Sequence, residues 1–68
     1  MSFGATLVLR KLRQLRERAG VTQQQLATAT GLPLQDVVSI EQGRTKVQMS
    51  TATVIANALN ISLVELLK

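Results

Sequence analysis

Sixty-eight residues suffice for one domain with one core, and so small a domain keeps a thin margin of stability. With no cysteine and no histidine, neither disulfides nor a structural zinc site can reinforce it, and no metal or cofactor is expected. A formal net charge of +4 suits an acidic partner, but Phe3 is the only aromatic residue, so stacking platforms for single-stranded nucleic acid are missing.

Residues 1–6 read as an N-terminal arm ahead of a domain spanning 7–68. Val8, Leu12, Leu15 and Ala19 fall on one helical stripe, with Arg10, Lys11, Arg13, Glu17 and Arg18 largely on the other faces, predicting a first helix that Gly20 ends in a left-handed conformation. Thr22 and Gln25 fit a capping box opening a second helix that runs to about Thr30. Gly31 stops it, Leu32-Pro33 turns the chain, and Leu34 to Gln42 form a third helix closed by Gly43. The linking turn is short enough for a helix-turn-helix.

Met49, Ala52, Ile55, Ala56 and Leu59 share a face of a fourth helix, with Asn60 as a left-handed terminator. Ser62 and Glu65 fit a second capping box, opening a short fifth helix whose apolar residues are Leu63, Leu66 and Leu67. No segment alternates with a period of two for long enough to predict a strand, so the expected fold class is all-α, a compact bundle of five helices.

One feature of the charge pattern stands out: Thr22 to Gly43, the most tightly patterned third of this basic chain, contains no lysine or arginine. Periodicity points Leu34, Gln35, Asp36 and Ser39 outward from the third helix and Val37 and Ile40 inward. Uncharged amides such as Gln35 can pair bidentately with the N6 and N7 edge of adenine, whereas a lysine there would favour guanine or any phosphate.

The segment LRQLRERAGVTQQQLATATGLPLQDVVSIEQGR resembles the Cro/C1-type helix-turn-helix proteins, the group of phage repressors and small bacterial regulators. The likeness runs from about Leu9 to Leu67. It rests on the joint spacing of Arg16, Thr22-Gln23, Leu26-Ala27, Gly31, Ile40-Glu41, Gly43 and the closing LNISLVELL. The resemblance implies a lambda-repressor-like domain whose third helix lies in the major groove of double-stranded DNA while the start of the second abuts the backbone.

On that reading Gln35 is the leading base-edge contact, with Leu34, Asp36 and Ser39 beside it. Leu34 has two uses open to it, a thymine methyl or sugar contact or that of an ordinary exposed leucine. Asp36 could serve the helix dipole or accept from a cytosine N4. Gln23 matches the family's glutamine that packs on a phosphate. Arg10, Arg44, Thr45 and Lys46 flank the reading unit and would hold phosphates without reading sequence. Arg16 and Glu41 match a family pair that bridges the first helix to the end of the third.

Two departures from the family pattern carry expectations of their own. Pro33 replaces a serine or threonine cap, so the third helix is expected to begin with Pro33 at its first position. Val47 replaces a frequent proline, so the loop from Gly43 to Gln48 is expected to be looser than usual. Val64 and Leu67 on the fifth helix are candidates for a homodimer contact, with core packing as the competing use.

Rival functions fit the residues less well. Without histidine, cysteine or tyrosine, acid-base and nucleophilic catalysis lack their usual groups, so no enzyme and no small-molecule ligand is expected. A membrane-surface role for the basic first helix competes with the need for its apolar stripe in the core, and no run of eighteen apolar residues or signal-peptide order is present. The expected location is cytoplasmic. A DNA-binding antitoxin of a toxin-antitoxin pair is the alternative, although a toxin-covering segment is not visible. The expected function is a transcriptional regulator, a repressor acting as a homodimer on a near-palindromic operator.

Overall fold

The computed structural model describes residues 6–68. The elements run β1 (Thr6–Leu7), α1 (Leu12–Arg18), α2 (Gln23–Thr30), α3 (Leu34–Glu41), β2 (Val47–Gln48), α4 (Met49–Ala58) and α5 (Leu63–Leu67). Of the expected arm, residues 1–5 lie outside the described residues, and Thr6 belongs to β1.

Local chemistry sets most of the helix ends. The capping box of α2 is complete: the Thr22 hydroxyl accepts from the Gln25 N–H at 3.0 Å, and the Gln25 amide oxygen accepts from the Thr22 N–H at 2.8 Å. Gly31 then takes φ +78°, a conformation that costs glycine little, and its N–H reaches the Ala27 carbonyl at 2.9 Å. After α4, Asn60 is the one described non-glycine residue at positive φ, +56°, and the Ile61 N–H closes back on the Ala56 carbonyl at 3.0 Å.

Leu12, Leu15, Leu26, Val37, Ile40, Ala52, Ile55, Leu59 and Leu66 form one core with Leu9 and Val47. α2 packs on α3 and α4, α4 on α5, and α1 on α3. The inward positions Val37 and Ile40 anchor α3 by its back, which leaves its opposite face to solvent.

Five details differ from the sequence expectations. First, α1 starts at Leu12: Val8 precedes the helix, and Ala19 is its exposed C-cap. The run Leu7-Val8-Leu9 fits an extended chain as well as a helical stripe, and pairing with β2 claims its start. Second, β1 and β2 form an antiparallel pair with Thr6 opposite Gln48 and Leu7 opposite Val47. Two-residue strands are too short to show a period, and Val47 is buried at the loop's end, so that end is pinned where a looser loop was expected.

Third, Pro33 is the N-cap of α3 rather than its first residue. Its ψ of 145° keeps it outside the helix, while its carbonyl accepts from the N–H groups of Asp36 (2.9 Å) and Val37 (3.2 Å). Fourth, Met49 is exposed, because periodicity gives a direction on α4 but not what stands opposite its first turn. Fifth, only half of the Ser62 box forms. The hydroxyl accepts from the Glu65 N–H at 3.1 Å, while the Glu65 carboxylate pairs with Lys68 at 3.6 Å. On α5 it is Leu66 that is buried, Leu63 is half-buried, and Leu67 is exposed.

Candidate nucleic-acid interface

α3 presents Leu34, Gln35 and Asp36 to solvent and Ser39 half-buried beside them. Gln35, Ser39 and Gln42 continue down one stripe of the helix, and the exposed Gln42 joins the residues that the sequence pattern points outward. The seven-residue step from Gln35 to Gln42 is two helical turns. Asp36 sits in the first turn, where backbone N–H groups favour a negative charge.

Behind this face an ion pair ties three helices together. The Arg16 Nε donates to Glu41 Oε2, one terminal nitrogen donates to Glu41 Oε1 at 3.2 Å, and the other donates to the Val21 carbonyl at 2.8 Å. The Gln23 amide nitrogen adds a third bond to Glu41, donating to Oε1 at 3.0 Å. The arginine side chain is 9% exposed and the carboxylate 3%. The hydrogen bond to Glu41 holds the guanidinium above its ordinary pKa, against the opposing effect of burial.

Gln23 was expected at a phosphate. One N–H of its amide donates to Glu41, and both residues line a cleft of about 370 Å³ with Arg13, Val38 and Gln42. By its periodicity Arg13 belongs to the polar surface of the first helix. It lines this cleft and also meets Glu17 at 3.2 Å in an exposed pair of little energetic weight.

A second cleft, about 400 Å³, lies around the end of α3, lined by Val8, Arg10, Glu41, Gln42 and Gly43. It brings Arg10 to the start of the loop that carries the exposed Arg44, Thr45 and Lys46. Val64 and Leu67 are not part of either cleft; they lie on α5, 67% and 39% exposed.

Among the described residues no helix is long and apolar enough to cross a membrane. The architecture is that of an exposed, cation-free helix face, fixed from behind by hydrophobic side chains and a buried ion pair, with cations at its margins.

The helix-turn-helix family model matches residues 12–66. No curated protein matches the chain by sequence. Among solved structures, the restriction-modification controller protein C.AhdI from Aeromonas hydrophila is 36% identical, with a TM-score of 0.79 over 82% of this chain and 85% of that one. The clp gene regulator ClgR from C. glutamicum is 30% identical, with a TM-score of 0.80 over 82% of this chain and 72% of that one. SinR, a master regulator for biofilm formation solved in complex with DNA, shares the fold at 22% identity, with a TM-score of 0.80 over 91% of this chain and all of that one.

Proposed function

The chain belongs to the Cro/C1-type helix-turn-helix family, and from that premise we propose that it is a sequence-specific double-stranded DNA-binding transcriptional regulator, a repressor acting as a homodimer on a near-palindromic operator. The observation that carries this reading is the exposed stripe of α3, free of lysine and arginine and bordered by Arg10, Arg44 and Lys46. Neutral side chains there read base edges, and the bordering cations neutralise phosphates.

In this reading Gln35 is the principal base contact, with Leu34, Asp36 and Ser39 beside it. Gln23, Thr45 and the cations set the register on the backbone. Two protomers place their α3 helices in successive major grooves, roughly 34 Å apart. If each neutralises about three phosphates, the dimer's logarithmic salt slope is about −5.

Selection of bound duplexes from a random pool tests the proposal and returns half-site and spacing together. Gln35→Ala is expected to relax preference at one base position per half-site, whereas Lys46→Ala weakens all sequences alike. A preferred-sequence profile left untouched by Gln35→Ala would remove α3 from the reading role.

A further inference from the structure

The loop that carries Arg44, Thr45 and Lys46 leaves α3 at Gly43, held at φ +76°, and ends at β2. Among the described residues β2 has one ladder partner, β1. Val47 is 5% exposed, and Leu7, opposite it in the ladder, packs against the core. The other end of the loop lies beside the N-terminal segment: Val8 and Gly43 line one cleft, and a methyl group added at Gly43 would stand 3.9 Å from Val8 Cγ1. Two residues further on, Arg10 shares a cleft with Gln42 and Gly43.

The chain before α1 therefore bounds the loop at both ends and delivers a cation of its own. Fixing a flexible cationic loop on a polyanion costs conformational entropy at the moment of binding, and a backbone already held in place loses less. We propose that β1 is the positioning element of the phosphate clamp: by pairing with β2 it sets Arg44 and Lys46 on the same frame as Arg10. This rests on the DNA-binding reading above and assigns to Thr6 and Leu7 a role in affinity without a role in sequence preference.

The test uses the full chain carrying Thr6→Pro or Leu7→Pro. Successive N–H groups of an antiparallel strand point alternately toward and away from the partner, so one substitution removes a ladder donor and the other does not. Binding is measured against salt on the selected duplex and on a mixed-sequence duplex, with far-ultraviolet circular dichroism as the fold control.

The ladder-breaking variant is expected to lose at least about tenfold in affinity on both duplexes, with the slope shallower by about 2, one phosphate per protomer. Lys46→Ala should then have little further effect in that background. Unchanged slopes in both proline variants, with the helical signal intact, overturn the proposal.

Should proline cost the fold, a chain carrying Thr6→Cys and Gln48→Cys decides. With Leu7→Gly added to loosen the ladder, its oxidised form should bind DNA several-fold more tightly than its reduced form, because the disulfide restores the pairing that holds the loop; equal affinities overturn the proposal. A shallow slope in the unaltered chain would instead count against DNA binding itself.

Discussion

Glu41 is the acceptor on which three helices converge, since Arg16 of α1 and Gln23 of α2 both donate to this residue of α3. A charge pair so little exposed has lost most of its hydration, and its attraction largely offsets that loss rather than adding to stability. Removing one partner is a different matter, because the other charge stays buried alone. Arg16→Met and Glu41→Leu should therefore each cost about 3 kcal/mol alone, while the two combined should cost less than either single change. Urea unfolding of the four proteins checks this; additive losses would mean that the pair is solvated rather than buried. Because the guanidinium is held above its ordinary pKa, the arginine's part of the stability is full at every pH below the ordinary arginine value. It is lost only as pH rises through the raised one, so unfolding should show no change from Arg16 across the neutral range.

At the scale of elements, the junction between α2 and α3 depends on one dihedral angle. Gly31 holds φ +78°, and nothing lies within 4 Å of where a Cβ would stand. Any cost of substitution is thus conformational rather than steric. Gly31→Ala should destabilise by about 1 kcal/mol, and Gly31→Asn by less, because asparagine tolerates the left-handed region. Thermal unfolding that ranked asparagine below alanine would contradict this. These helix ends were legible in the sequence because their determinants are local: Thr22 with Gln25, Gly31, Gly43 and Asn60 each act within a few residues of chain. The outward positions of α3 were legible for a similar reason, since Val37 and Ile40 fix the phase of the helix. β1 and β2 were not. Thr6-Leu7 and Val47-Gln48 meet across some forty residues of chain, and neither is long enough to carry a period. The hydrogen bond from Gln23 to Glu41 was equally hidden, because periodicity gives the side of a helix on which an amide lies but not its partner on another helix.

For the whole molecule, the question is what the exposed apolar residues of α4 and α5 are for. Val64 is 67% exposed and Leu67 39%, while Leu66 between them fills the core, so α5 already contributes its share to folding. Val54, 44% exposed on α4, adds to the apolar surface of the pair α4–α5, which pack on each other. Residues left outside the core of so small a domain are free to serve a second copy, and a symmetric contact would present two α3 helices to one face of DNA. Val64→Glu places like charges on both sides of such a contact while leaving the core untouched. Sedimentation should shift from dimer to monomer, the free energy of unfolding measured on the monomer should change by no more than about 0.5 kcal/mol, and the salt slope should fall from about −5 toward half that value as one protomer's phosphates are lost. A chain that still sediments as a dimer after this change uses another surface, and Val64 and Leu67 would then be ordinary exposed residues.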